Sequence, residues 1–142
     1  YYHSLALAAD GTVWGWGDNY YHQLGDERLL NAPSPIQVPG LPAIVAIRAG
    51  GRHTLALAVD GTLWAWGDNS FGQLGLETTD EVVSPVQVAL QVPFDVFEAG
   101  GYHSLAGEAS GPIWSWGFNL YGQLGDGSNS GEGELVQVQE LP

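Results

Sequence analysis

The sequence predicts an all-β chain of stacked, four-stranded antiparallel blades, and three observations carry that prediction. The first is a repeat. His3, His53 and His103 are spaced by fifty residues, as are Trp16, Trp66 and Trp116 and the Gln-Leu-Gly tripeptides starting at Gln23, Gln73 and Gln123. A fixed period of this length marks one supersecondary unit used several times. The second is a hairpin signal inside the unit: Asp10-Gly11 and Asp60-Gly61 stand between alternating apolar runs. The third is punctuation, since 21 Gly and 8 Pro in 142 residues suit many short strands and tight turns.

The hairpins fix the faces. With a two-residue turn, Leu7 opposes Trp14 and Leu5 opposes Trp16, while Ala8 opposes Val13 and Ala6 opposes Gly15. The second unit follows suit, with Leu57 against Trp64, Leu55 against Trp66 and Ala56 against Ala65. Alternation then gives each hairpin one bulky face and one face of small residues. Both faces are apolar, so both must be covered, and the bulky face of one unit fits the small face of the next. Radial stacking of such sheets gives a β-propeller, which also protects strand edges. A straight solenoid suits four-stranded units of this length less well.

The second unit drafts a whole blade: strands at 43–50, 53–59 and 62–67, then a loop, then a short fourth strand at 85–88. The domain reading is one repeat domain over 1–142, with blade 1 at 1–42 lacking its first strand, blade 2 at 43–93 and blade 3 at 94–142. About three blades make a partial ring. The missing first strand and the absence of Met favour a piece excised from a longer chain. Head-to-tail assembly of several copies into a ring is the second explanation.

Composition narrows the function classes. Apolar residues make up 44% and aromatics 11%, enough for a packed core. Sixteen acids face three bases, Arg28, Arg48 and Arg52, for a net charge of −13. Such a charge repels phosphate backbones and anionic lipid, which argues against direct nucleic-acid binding. No apolar run reaches the about 18 residues of a membrane helix, and no signal-peptide pattern opens the chain. Cys is absent, so neither disulfides nor thiolate metal sites are expected. Low Lys with abundant acid favours a secreted or cell-surface bacterial protein over an intracellular one.

The segments AGGRHTLAL, DGTLWAWGDNSFGQLG and SPVQV, with their counterparts HSLALAADGTVWGWGDNYYHQLG and SPIQV, then AGGYHSLA and IWSWGFNLYGQLG, resemble the regulator of chromosome condensation repeat family. The resemblance covers nearly the whole chain. It implies a seven-bladed propeller as the usual complete form, with binding surfaces built from loops. It also implies a choice of functions, because the founding member is a guanine-nucleotide exchange factor for the nuclear-transport small GTPase and also binds chromatin, while other members are ubiquitin-ligase modules, ciliary proteins, plant light-receptor proteins and bacterial proteins. Departures from the family pattern are Arg48, Glu98, His22 in place of the Gly at 72 and 122, and Ser110-Gly111-Pro112 with Gly107 and Glu108 in the third hairpin.

Candidate sites divide into what repeats and what varies. The histidines His3, His53 and His103 invite a catalytic reading, because Ser4 and Thr54 follow two of them and Asp18 and Asp68 would face those two. Neighbouring strand residues point to opposite faces, however, so a convergent Ser-His-Asp set is not expected. A structural role is expected instead: a buried imidazole tying one blade to a backbone carbonyl of the next. Three-His zinc binding is ruled against by distance between blades. Trp14, Trp16, Trp64, Trp66, Trp114 and Trp116 are expected in the inter-blade core. The Asn-containing loops at 17–25, 67–75 and 117–125 lack Lys and are read as tight loops, not phosphate sites. Residues 126–134 offer Asp126, Ser128, Ser130 and Gly131 at the first positions of a calcium loop, but Gln137 stands where a Glu belongs.

What varies is where function is expected. The tracts 26–34, 76–84 and 126–134 differ between units and are acidic, and loops on a rigid scaffold are the usual seat of binding. The partner-binding candidates are Tyr20, Asp26, Glu27, Glu77, Asp80, Glu81, Leu120, Glu132 and Glu134. The expected activity is therefore a non-enzymatic protein-binding scaffold, with no catalytic residues and no cofactor, for a partner of basic character. The alternatives are a guanine-nucleotide exchange factor and a calcium- or carbohydrate-binding surface module.

Overall fold

The computed structural model describes residues 2–28, 30–90, 92, 94–130 and 133–139. Among these the chain forms strands and no helix. Blade 1 holds β1 (His3–Leu7), β2 (Val13–Asp18) and β3 (Asn31–Gln37). Blade 2 holds β4 (Ile44–Ala49), β5 (His53–Ala58), β6 (Leu63–Gly67) and β7 (Val82–Val88). Blade 3 holds β8 (Val96–Ala99), β9 (His103–Gly107), β10 (Ile113–Gly117) and β11 (Val136–Gln137). Each sheet is an antiparallel meander with its strands in chain order, three in blade 1 and four in each of the others. The innermost strands β4 and β8 pack beside one another, and β1 packs beside β4. These are propeller blades in a partial ring. Pro33 and Pro35 lie in β3 and Pro85 in β7, edge strands where a missing N–H costs nothing. Both strands reach back into the tracts expected to be loops, starting at Asn31 and Val82.

The hairpin register is one residue away from the two-residue turn expected above. Leu7 pairs with Val13, Ala6 with Trp14, Leu5 with Gly15, Ser4 with Trp16 and His3 with Gly17. The cause is the turn itself. Ala8 N donates to the Thr12 carbonyl at 2.9 Å and Gly11 N to the Ala8 carbonyl at 3.0 Å, so Ala9-Asp10-Gly11 form a three-residue loop with Gly11 at φ 84°. A left-handed third residue is the bulge that joins such a loop to twisted strands. The Asp10 carboxylate secures it by accepting from Thr12 N at 3.0 Å and Thr12 Oγ1 at 2.7 Å, bonds that hold its pKa below the usual value. Asp60 and Thr62 repeat the arrangement.

The faces change accordingly. Trp64 and Trp66 share a face with Ala56 and Thr54, while Leu55 and Leu57 share the other with Ala65 and Leu63. Each face thus mixes large and small residues, and the expected division into a bulky and a small face does not hold. The Leu face of one blade meets the Trp face of the next. One core cluster joins Val13 and Val38 of blade 1 to Ile44, Ala56, Ala58 and Trp66 of blade 2. The other joins Leu55, Leu63, Leu74 and Val88 of blade 2 to Phe97, Ala106 and Trp116 of blade 3. Trp66 and Trp116 are fully buried and Trp16, on the outer face of blade 1, is half-buried. Trp14 departs from the core role expected of it, being 37% exposed, and Trp64 and Trp114 are half-buried. Trp14 and Trp64 donate their indole N–H to Thr12 and Thr62. On the outer Leu face of blade 3, a groove of about 210 Å³ is lined by Val96, Phe97, Leu105, Ala106 and Ile113.

Candidate functional site

The repeated polar residues form a latch between blades. Thr54 Oγ1 donates to the Gln23 carbonyl at 2.9 Å, and Trp66 Nε1 donates to the same oxygen at 2.9 Å. One blade on, Ser104 Oγ and Trp116 Nε1 both donate to the Gln73 carbonyl, at 2.8 and 2.9 Å. A carbonyl has two lone pairs, so each is saturated. The histidine of the earlier blade completes the set: His53 Nε2 lies 3.0 Å from Ser104 Oγ, and His3 Nε2 lies 3.4 Å from Thr54 Oγ1. Because the hydroxyl proton already goes to the carbonyl, the imidazole must be the donor, which places its proton on Nε2. The histidine therefore ties to a side-chain hydroxyl of the next blade, not to a backbone carbonyl as expected. The signal was present in the sequence: Ser4, Thr54 and Ser104 each follow a histidine.

This direction of bonding argues against nucleophilic catalysis. A catalytic base must accept the serine proton, whereas His53 gives a proton to Ser104 and both are fully buried. Burial pulls the His53 pKa down to about 3, with the Asp68 charge acting the other way. His3 is lowered to about 4, chiefly by burial, and His103 is lowered for the same reason. Among the described residues no three His, Cys, Asp or Glu converge as metal ligands.

The variable tracts gather at one end of the blades. The Asp-Gly turns mark the opposite end, while the β2–β3, β6–β7 and β10–β11 loops lie beside the corners that precede each histidine. Within every loop an asparagine closes the turn. Asn19 Oδ1 accepts from Leu24 N and its Nδ2 donates to the Asp26 carbonyl, Asn69 bonds Leu74 N and the Thr78 carbonyl, and Asn119 bonds Leu124 N and the Ser130 carbonyl. A buried asparagine at the loop base leaves the tip free to vary.

Position by position, the candidates separate. Tyr20 is 66% and Leu120 59% exposed, and Ser70, the same position in the middle blade, is exposed too. Glu27, Glu77, Asp80, Glu81 and Glu134 are exposed. Asp26 is not available as a surface acid: it is 6% exposed and held by Arg28, whose Nε lies 2.8 Å from Oδ1. That guanidinium keeps the Asp26 carboxyl well below the usual carboxylate range. Glu132 and Gly131 lie outside the described residues. Among the calcium candidates, the Asn119 amide sits within hydrogen-bonding reach of Asp126, Ser128 and Ser130. Asp126 Oδ1 accepts from Ser128 N and Oγ, and Asn119 Nδ2 points at Asp126 Oδ1 and the Ser128 and Ser130 carbonyls, while Gln137 lies in β11.

An aromatic strip that no single repeat reveals runs across this end. Arg52 Cζ lies 4.1 Å from the Tyr21 ring centroid of blade 1 and 5.5 Å from that of Tyr102 of blade 3. Phe71 stands 5.5 Å from Tyr102 and 4.7 Å from Phe118, and Phe118 continues to Tyr121 at 6.1 Å. The residues before His53 and His103, Arg52 and Tyr102, thus meet the loop aromatic of the previous blade. Aromatic residues and Arg are what protein interfaces favour.

Residues 10–57 and 60–106 match the Regulator of chromosome condensation (RCC1) repeat, and residues 44–73 match a second description of that repeat. The chain belongs to this family. Solved RCC1-type structures share its fold. Human WBSCR16 superposes with a TM-score of 0.83 at 24% identity, over 97% of this chain and 36% of that one. Yeast RCC1 (Prp20), solved with Kap60 bound to it, gives 0.85 at 24% identity over 98% of this chain and 35% of that one. A separate structure of Prp20p from Saccharomyces cerevisiae, studied with its binding properties to Gsp1p and histones, gives 0.85 at 23% identity. A stretch of 54 residues is 39% identical to the Rho GTPase-activating protein gacGG of Dictyostelium discoideum, covering 36% of this chain and 4% of that protein.

Proposed function

We propose that the chain is a non-enzymatic, protein-binding segment of an RCC1-type propeller and that its partner docks on the loop end, selected by the acidic variable tracts. The observation that carries this reading is the middle blade. Blade 2 is flanked on both sides, yet its tip and Glu77, Asp80 and Glu81 are exposed, so this surface is open for reasons other than a missing neighbour. The outer Leu face of blade 3 is a different matter. Its counterpart on blade 2 is filled by Phe97 and Trp116, which supports its being covered by a further blade, from a longer chain or a second copy.

The test compares two ends of one molecule. Proteins retained by the immobilised chain should be lost when Tyr20 and Leu120 are both replaced by Ser, the residue of blade 2 at that place, and kept when Asp60 at the turn end becomes Asn. Retention that survives the first change and fails with the second would place the partner at the wrong end. Family membership supports a second reading, an exchange factor acting on a small GTPase. Accelerated release of a fluorescent guanine nucleotide from a GTPase would favour it over simple binding.

A further inference from the structure

We infer that the seam between blades 1 and 2 at the loop end receives an arginine side chain from an extended basic segment of the partner, with Tyr20 as stacking surface and Glu81 as counter-charge. The inference rests on the protein-binding reading and names its chemistry. Three observations meet at this seam. Tyr20 is 66% exposed and packs edge-on against Tyr21, centroids 5.0 Å apart at 73°. At that exposure and with a single T-shaped neighbour, at least one face of the Tyr20 ring is open to solvent, and the face is the electron-rich part that attracts a cation. Next, the adjoining Tyr21 already carries a guanidinium, that of Arg52 at 4.1 Å, so the local geometry accommodates such stacking.

Charge decides between cationic and other occupants. Among the described residues Arg28 is paired with Asp26 and Arg48 with Glu98, and Arg52 lies between tyrosines, so the chain's bases leave the loop-end acids largely uncompensated. Glu81 stands at the seam itself, its Oε1 3.3 Å from Nδ1 of His22, which is two residues from Tyr20. Glu77 and Asp80 extend the same exposed tract. A neutral proline-rich segment could stack on the tyrosine but would gain nothing from these acids. An acidic segment would be repelled by them. Arginine is favoured over lysine because its planar guanidinium both stacks and pairs with a carboxylate.

The experiment titrates the 142-residue chain into fluorescein-labelled peptides and reads anisotropy. The probes are a Gly-Arg alternating peptide, its Lys and citrulline counterparts, and a neutral proline-rich peptide. Affinity should run Arg over Lys over citrulline and fall as salt rises. Tyr20→Ser should weaken Arg-peptide binding about two- to five-fold, the range of an exposed cation–π contact. Glu81→Gln should weaken it and flatten its salt dependence, whereas Asp60→Asn, an equal change of net charge at the turn end, should not. The proposal is overturned if the Arg peptide does not bind, if the proline-rich peptide binds better, or if Asp60→Asn matches Glu81→Gln while Tyr20→Ser has no effect. Any of these leaves the loop-end reading to be judged on the retained proteins.

Discussion

The two seams of the molecule, blade 1 on 2 and blade 2 on 3, are alike inside and unlike outside. Inside, both use one carbonyl saturated by a hydroxyl and an indole, with a histidine behind the hydroxyl. Outside, at the loop end, Gly72 of the second seam abuts the backbone of Gly133. The first seam has His22 in place of that glycine, at φ 56°, reaching Glu81 instead. The inner joint is the same at both seams, while the contacts at the loop end differ, so the rim can be altered without touching the groups that hold the blades together.

The largest expected effect tests whether the inner parts are equivalent. Trp66→Ala and Trp116→Ala should each destabilise by about 3–5 kcal/mol in urea unfolding. A much smaller loss at Trp116 would show that the seams differ in the core as well. The next effect is in pH. The His53 pKa is lowered by burial to about 3 from 6.5, so the unfolded chain binds the proton first. Stability is therefore full above about pH 6.5 and is lost as pH falls toward 3, on the order of a few kcal/mol in total. His53→Gln should flatten melting temperature against pH across that window, and an unchanged slope would exclude His53 as its source.

Smaller effects sharpen the contrast. His53→Ala should cost about 1–3 kcal/mol, and His3→Ala less, because its hydroxyl contact is 3.4 Å rather than 3.0 Å. Matched thermal melts check this, and equal losses would mean that the difference in distance has no energetic meaning. The smallest is His22→Gly. A non-glycine residue at positive φ carries about 1 kcal/mol of strain, and the contact of the half-buried His22 to the exposed Glu81 carboxylate returns less than that. Melting temperature should rise by a few degrees at most; a fall would show that the contact outweighs the strain.

The fold was legible because its period was. The fifty-residue spacing, the alternating strands and the Asp-Gly turns each follow from local rules. The register was not, because Asp-Gly serves both two-residue and three-residue loops, and only the backbone shows that Gly11 is the left-handed third residue. The latch was half legible: the buried histidine could be read, but its partner lies fifty-one positions away and is visible only once blades are stacked. Asp26 looked like a surface acid because its neutralising Arg28 sits two places on, at a spacing that means little without the turn. The aromatic strip escaped because Tyr21, Arg52 and Tyr102 belong to three different blades, and no single-repeat comparison brings them together.

One property of the latch reaches beyond this chain. Its parts are unequal: each blade offers histidine and carbonyl forward, and hydroxyl and indole backward. A unit carrying both halves joins any neighbour of the same kind, in one orientation only. Nothing in the joint specifies how many units there are. Duplication or loss of a whole unit therefore preserves every joint, so array length can drift in evolution while reversed insertions are rejected at once.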